Sequence, residues 1–210
     1  MKRNIKNVAV LGSGVMGSAI ACHFANVGLN VLLLDIVAKE VESSNNKKER
    51  NKIVDGALSK ALKSKPSPIY KKSFAKRIKT GNMTDDMSLI STCDWIIEVV
   101  VERLDIKKIV FENVEKHRTN GTLITSNTSG IPINMMLEGR SEDFQQHFFG
   151  THFFNPPRYL KLLEIIPTPK SNQKDIDFMM DFGAKILGKT TVLCKDTPAF
   201  IANRVGVYAI

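Results

Sequence analysis

Apolar positions fall into short continuous runs separated by longer stretches of helical period, and the two alternate along the chain. Residues 6–11 (KNVAVL) predict a buried strand, ended by Gly12 and Gly14. Across residues 15–27 the apolar positions Val15, Ala19, Ile20, Cys22, Phe24 and Val27 predict a buried helix stopped by Gly28. Residues 30–34 (NVLLL) predict a second strand with Asp35 at its C-terminal end, and connections this short require a right-handed crossover. Residues 36–80 read as helical, with Ala57, Leu58, Ala61 and Leu62 on an apolar face and a break at Pro66 and Pro68 between two helices. Further strands are expected over 95–101 (WIIEVVV), 122–126, 148–154, 160–166 and 190–194. Helices are expected over 103–117, 132–139 and 173–187, with a polar turn at 127–130. After Pro198 the run PAFIANRVGVYAI begins a new helix with no C-cap, so the sequence is expected to be the N-terminal portion of a longer polypeptide. The alternation predicts an α/β fold, a mostly parallel sheet with helices on both faces.

Composition narrows the class. A hydrophobic fraction of 43% over 210 residues can supply a core and excludes wholesale disorder. The formal charge is +9, but residues 36–80 hold 13 basic residues against four acidic ones, and the other 165 residues carry 17 of each sign. A balanced body argues against a nucleic-acid-coating protein, and a local basic segment points to an anionic partner. That segment contains Tyr70 and Phe74 but no interleaved aromatic platform, which ranks nucleic-acid binding last. Cys22, Cys93 and Cys194 are far apart with no CxxC, so they read as small buried residues in a reducing compartment. The N-terminus is basic and then apolar, but it is short, glycine-broken and without a cleavage site. No apolar run approaches the ~20 residues of a membrane span. The expectation is a cytoplasmic protein with no membrane span and no nucleic-acid partner.

Two groups of residues carry chemistry. Gly12-Ser13-Gly14-Val15-Met16-Gly17 is a GxGxxG turn between a predicted strand and helix, and Asp35 follows 18 residues after its last glycine. Gly12 permits the tight turn, Gly14 lets a pyrophosphate approach the backbone, and Gly17 lets helix and strand pack closely. Asp35 can accept hydrogen bonds from a ribose diol and would repel a 2′-phosphate, which predicts NAD over NADP. The second group lies in GTHFFNPPRYLKLLE (150–164). If its two apolar runs pair about a turn centred on Arg158, partners sum to 316, and His152 and Glu164 become cross-strand neighbours. A carboxylate in that position fixes the imidazole tautomer and favours its protonated form, as a proton acceptor needs. For an isolated pair a buried His with a structural hydrogen-bond partner is the preferred reading; the position of this pair beyond a NAD-binding half shifts the balance towards catalysis. His23 and His117 read as structural or solvated and His147 as exposed, and no spacing such as HExxH suggests a metal.

With these motifs in view, the sequence resembles the NAD-binding domain of L-3-hydroxyacyl-CoA dehydrogenases over essentially its whole length. The resemblance rests on VAVLGSGVMGSAIA (8–21), WIIEVVVERLDIKK (95–108), SNTSGI (126–131), GTHFFNPPRYLKLLEIIP (150–167) and KDTPAFIANR (195–204). The phrasing KPSPIY and NPPRYLKLLEIIP is most like long bacterial β-oxidation proteins.

The resemblance implies a Rossmann-type NAD-binding domain over 1–196, a basic helix-pair insertion at 36–80, and the start of a truncated C-terminal helical domain at 197–210. It implies NAD-dependent oxidation of L-3-hydroxyacyl-CoA to 3-ketoacyl-CoA. His152 would be the base and Glu164 its orienting carboxylate, with Ser129 and Asn203 near the reacting oxygen. Besides Gly12, Gly14, Val15, Met16, Gly17 and Asp35, it assigns Glu102, Lys107 and Asn127 to the cofactor pocket. Without the resemblance, Ser129 makes a turn, Glu102 caps a helix and Lys107 is solvated. Lys60, Lys63 and Lys65 are candidates for a lysine contacting CoA. Ala199 departs from the family, standing where a glycine often follows DTP. The implied partners are an acyl-CoA substrate and the C-terminal helical domain of the same polypeptide, with a homodimer as one option for the complete protein. Two alternatives stay open: a non-catalytic NAD-binding module, and a dehydrogenase of a short 3-hydroxy acid.

Overall fold

The computed structural model describes residues 3–209; the outer ends of the two expected domains, residues 1–2 and 210, lie outside the described residues. Eight strands form one sheet. In chain order they are β1 (Asn7–Leu11), β2 (Asn30–Asp35), β3 (Ile78–Asn82), β4 (Trp95–Glu98), β5 (Leu123–Ser126), β6 (Phe148–Phe153), β7 (Leu162–Pro167) and β8 (Thr190–Leu193). Their spatial order is β3-β2-β1-β4-β5-β6-β7-β8. The run from β3 to β6 is parallel, β7 is antiparallel to β6, and β8 is parallel to β7. This is a Rossmann-type arrangement.

The central strands are apolar on both sides because helices cover both faces. On one face Val8, Val10, Val31, Leu33, Trp95 and Ile97 pack under α1 (Val15–Asn26) and α6 (Gln173–Lys185), which supply Ile20, Phe24, Ile176 and Met179. On the other, Ala9, Leu11, Leu32, Leu34, Ile96 and Ile124 pack under α4 (Leu104–His117) and α5 (Glu142–Gln146), with Phe111 and Phe144 at the contact. Each such side chain removed from water contributes about 1.5–3 kcal/mol. Cys22, Cys93 and Cys194 are buried and unpaired, as expected of small core residues.

The basic segment departs from the expected helix pair. One turn, α2 (Lys47–Arg50), leads into a single regular helix, α3 (Lys52–Lys63). Beyond Pro66 and Pro68 no second α-helix forms. Pro68 O accepts from Asn26 Nδ2 and Tyr70 N donates to Asn26 Oδ1, which pins the chain to the end of α1. Ile69 is buried there, residues 72–77 make only a 3-10 turn, and the next residues join the sheet edge as β3. Lys47 pairs with Asp86, and Arg50 pairs with Asp85 through two bonds of 2.7 Å.

His147 is a second correction. It caps the end of α5 rather than standing in water, and its Nδ1 lies 2.5 Å from Asp175 Oδ2. Arg3 holds the same carboxylate at 2.6 and 2.9 Å. His23 is buried, with Nε2 3.0 Å from Leu187 O; burial, aided by the Lys189 charge, pushes it down to about 4. No helix among the described residues is long and apolar enough to cross a membrane.

Candidate active site

β1 ends in the glycine turn, and the turn has no room for side chains where it packs. Gly12 has φ +103°, and a Cβ there would lie 2.6 Å from Val99 O; a Cβ on Gly17 would lie 1.8 Å from Gly12 O. A Cβ on Gly14, by contrast, would meet nothing within 4 Å, so the open side of the turn is the side on which a ligand fits. Helix α1 starts at Val15 with neither a side-chain cap nor an acidic residue in its first turn, leaving its N-terminal N–H groups for an anion. Asp35, at the end of β2, accepts from Ser13 N at 2.6 Å and Ser13 Oγ at 2.5 Å. It thereby fixes the turn from the side, and it remains half-buried beside the exposed Ile36. A cradle empty of side chains, a free helix N-terminus and an acid at the neighbouring strand end together fit NAD.

The sheet order then directs the rest of the cofactor. A dinucleotide held with its pyrophosphate at the β1 turn and a ribose at Asp35 would have the ends of β4, β5 and β6 on its other side, where such sheets bind the second half. There the chain leaves β4 at Glu98, three residues earlier than the branched run suggested. Glu98 is 0% exposed; its Oε1 accepts from Lys107 Nζ and Val100 N, both at 2.7 Å, and its Oε2 from Ser126 Oγ at 2.5 Å. Lys107 is 1% exposed, so it is not solvated. Its Nζ also lies 3.4 Å from Glu102 Oε2. Glu102 does not cap α4. Its Oε1 accepts from Thr128 Oγ1 at 2.5 Å, Ser129 N at 2.9 Å and Gly130 N at 3.1 Å, holding the turn that carries Ser129. Burial raises the Glu102 carboxyl, but the Thr128 hydroxyl, the Lys107 charge and the two N–H groups outweigh it and bring it below its ordinary value. Asn127 turns inward and accepts from Phe153 N at 2.9 Å, tying β5 to β6.

One residue beyond Asn127's partner Phe153 in the opposite direction stands the imidazole. The β6–β7 register pairs His152 with Glu164, and Phe149 with Pro167, so partners sum to 316 as the sequence pattern predicted. His152 is 4% exposed, and its Nδ1 lies 2.8 Å from Glu164 Oε2. An ionised carboxylate only accepts, so Nδ1 carries the proton and Nε2 keeps its lone pair. Phe154 and Phe200 flank the ring, with centroids at 4.4 and 5.8 Å.

Glu164 Oε1 accepts from Ile201 N at 3.1 Å and Ala202 N at 2.8 Å, the start of α7 (Ala202–Tyr208). Burial raises Glu164, but the bonds from His152 and these amides overcome it and hold the carboxyl below its ordinary range. The Cys194 thiol is pushed up to about 12 by burial and by the Glu164 charge. From α7, Asn203 Nδ2 donates to Ser129 O at 3.0 Å. Four separated residues, Ser129, His152, Glu164 and Asn203, thus meet at one end of the sheet. The chain enters α7 through Ala199 and Phe200, both left-handed at φ +64° and +47°. Ala199 stands where a residue without a Cβ would be at ease.

Beside the glycine turn, α3 and the β6–β7 loop enclose a cleft of about 550 Å³. Gly14, Val15, Lys60, Lys65, Pro156 and Arg158 line it. Lys63 does not; it borders an adjoining groove that shares Lys60 and Ser64 with the cleft. Arg158, which the sequence presented only as a turn centre, donates to Ser67 O at 2.5 Å and stacks 4.3 Å over Tyr70. Beneath the loop, buried Lys189 donates to Pro157 O and Leu160 O, and burial pushes its ammonium down to about 8. Glu98, Ser126, Thr128, Arg158 and Lys189 were missed from sequence. The one local signal was Glu98 itself, a carboxylate inside an otherwise apolar strand run.

Comparison with known proteins places these features in context. Residues 7–197 match the family described as "3-hydroxyacyl-CoA dehydrogenase, NAD binding domain". A "Probable 3-hydroxyacyl-CoA dehydrogenase" of Bacillus subtilis (strain 168) is 50% identical over 218 residues, covering 100% of this chain and 28% of that protein. A Deinococcus radiodurans protein of the same description is 46% identical over 206 residues, covering 98% of this chain and 58% of its own length. The crystal structure of 3-hydroxybutyryl-CoA dehydrogenase from Escherichia coli K12 matches with a TM-score of 0.75 and 29% identity, over 97% of this chain and 41% of that one. The chain therefore spans 28% and 58% of the lengths of these two bacterial relatives.

Proposed function

We propose, from the premise that this chain belongs to the family of 3-hydroxyacyl-CoA dehydrogenase NAD-binding domains, that it serves the NAD-dependent oxidation of L-3-hydroxyacyl-CoA to 3-ketoacyl-CoA in fatty acid β-oxidation. The observation that carries this reading is the buried His152–Glu164 pair, set on β6 beside the crevice where the far end of the dinucleotide lies. NAD, when bound, accepts the hydride from C3 of the substrate. The chain's own residues handle the proton. His152 Nε2 takes it from the 3-hydroxyl, while Glu164 keeps Nδ1 protonated and balances the charge that forms on the ring. Ser129 and Asn203, joined through the Ser129 carbonyl, flank the substrate oxygen. Gly12, Gly14, Val15, Met16 and Gly17 hold the pyrophosphate, and Asp35 takes the adenosine ribose. Glu102, Lys107 and Asn127 shape the far end, Glu102 directly and Lys107 from behind it.

Lys60 and Lys65 are the basic groups we assign to the CoA phosphates, because they share a cleft with the glycine turn. The domain reading is an NAD-binding unit over 1–196 and the first part of a helical region from 197. The apolar residues exposed around α7, Val205, Val207 and Tyr208, support a covering helical region that completes the acyl cleft and supplies a homodimer contact. Three unpaired buried cysteines support a reducing, cytoplasmic setting. The test is an assay of the full-length protein with NAD and either L-3-hydroxybutyryl-CoA or free 3-hydroxybutyrate. Oxidation of the thioester alone is expected. Oxidation of the free acid alone would favour a short hydroxy-acid dehydrogenase, and oxidation of neither, with NAD bound, a binding module.

A further inference from the structure

We infer that Glu98 is a positioning residue that takes up most of the Lys107 charge beside Glu102, and thereby sets the relative affinity of the crevice for oxidised and reduced dinucleotide. The inference rests on the reading of this crevice as an NAD site.

The charge count is the starting point. Glu98, Lys107 and Glu102 form a chain of two carboxylates and one ammonium, with net charge −1. Glu98 is wholly buried, and its remaining partners, Ser126 Oγ and Val100 N, are neutral donors. Burial raises the Glu98 carboxyl above its ordinary value, and the Lys107 ammonium, the Ser126 hydroxyl and the Val100 N–H, all directed at it, oppose that rise and favour the ionised form. Lys107 Nζ lies 2.7 Å from Glu98 and 3.4 Å from Glu102, so its charge is compensated first by the buried carboxylate. The unbalanced negative charge therefore resides on Glu102, whose side chain is 44% exposed.

Glu102 is also the member that faces the ligand. It holds the Thr128–Gly130 turn at the end of β5, in the stretch of crevice that the nicotinamide half must cross. The oxidised nicotinamide ring is a cation and the reduced ring is neutral. A carboxylate whose neighbouring ammonium is already compensated by Glu98 therefore strengthens binding of NAD+ more than that of NADH. Were Glu98 neutral, Lys107 would pair with Glu102 alone, and the crevice would lose that discrimination without losing any group that touches the cofactor.

The experiment is titration calorimetry of the full-length protein with NAD+ and with NADH, before and after substitution. Glu98→Gln keeps an acceptor for Lys107 and for Val100 N but removes the charge. The expected result is a rise in Kd(NAD+)/Kd(NADH) of about fivefold or more, the size of one unit charge acting over roughly 10 Å of partly wet protein. Glu98→Gln with Lys107→Met removes equal and opposite charges, and the ratio should return to within about twofold of the unaltered protein. A merely structural role would not be repaired by altering a second buried side chain. A folded Glu98→Gln protein with an unchanged ratio, or a double variant that keeps the single variant's shift, overturns the proposal. If Glu98→Gln does not fold, Glu102→Gln decides: it must reproduce the rise, and an unchanged ratio overturns the proposal. Failure of the unaltered protein to bind either form would instead overturn the NAD reading, and this proposal with it.

Discussion

Glu164 holds two parts of the molecule with its two oxygens: Oε2 orients His152 at 2.8 Å, and Oε1 accepts the N–H of Ala202 at 2.8 Å. The acid that holds the imidazole is itself held by the backbone entering α7. Its role and that of His152 should separate on substitution. In the full-length protein His152→Gln should lower kcat by ~10²–10⁴-fold, the usual contribution of a general base, with NADH affinity unchanged by calorimetry. Turnover near that of the unaltered protein would refute the assignment.

Asp35 anchors the glycine turn through Ser13, and the proposed function also gives it the adenosine ribose. Asp35→Ala should weaken NAD+ binding by ~10-fold or more, the scale of charge-assisted hydrogen bonds to a ribose diol plus the loss of Ser13's anchor. Calorimetry giving an unchanged Kd would remove Asp35 from the site.

The basic segment should divide by position rather than by charge. Lys60→Ala and Lys65→Ala should each raise KM for the acyl-CoA by about 2–5-fold, and Lys63→Ala, which lies off the cleft, should have little effect. Added salt should raise KM for acyl-CoA more than it raises Kd for NAD. Equal effects of the three substitutions would contradict the cleft assignment.

Acid should destabilise the fold through two carboxylates. Burial raises Asp175, but His147 and Arg3 outweigh it and bring it below its ordinary value, as His152 and the α7 amides do for Glu164. Both groups therefore bind protons more weakly folded than unfolded. Their stabilisation is present above the unfolded value of about 4 and is lost as pH falls through the lower folded values. Urea midpoints should begin to drop below about pH 5 and go on dropping below about pH 4, and Asp175→Asn should flatten that slope.

At the entry to α7, Ala199 occupies a left-handed conformation at φ +64°. An L-residue there carries about 1–2 kcal/mol of strain, and a glycine adds somewhat less than that in unfolded-chain entropy. Ala199→Gly should therefore stabilise the protein by up to about 1 kcal/mol, read as a higher denaturant midpoint at unchanged slope.

What the sequence disclosed depended on range. The glycine turn and Asp35 were legible because strand, turn, helix and strand follow one another without interruption. The His152–Glu164 contact was legible because a hairpin imposes its own register once the turn centre is known. β3 was hidden: Ile78-Lys79-Thr80-Gly81-Asn82 is short and polar, and only pairing with β2 makes it a strand. Lys107 looked like any helix-face lysine because its partner Glu98 lies nine residues earlier on another element. His147 looked exposed because Asp175 and Arg3, which enclose it, lie 28 and 144 residues away. Local pattern reports where the backbone goes; charges buried by distant partners are reported only by the fold.

The two amides of Ile201 and Ala202 on Glu164 have a mechanical implication. Hydrogen bonds weaken steeply with misalignment, so a small tilt of α7 changes the pull on Glu164 and hence the aim of His152 Nε2. The same tilt draws Asn203 away from the Ser129 carbonyl. α7 is therefore tied at two points, one to the carboxylate that holds the His152 imidazole and one to the turn that carries Ser129. Whatever seats α7 bears on both ties at once.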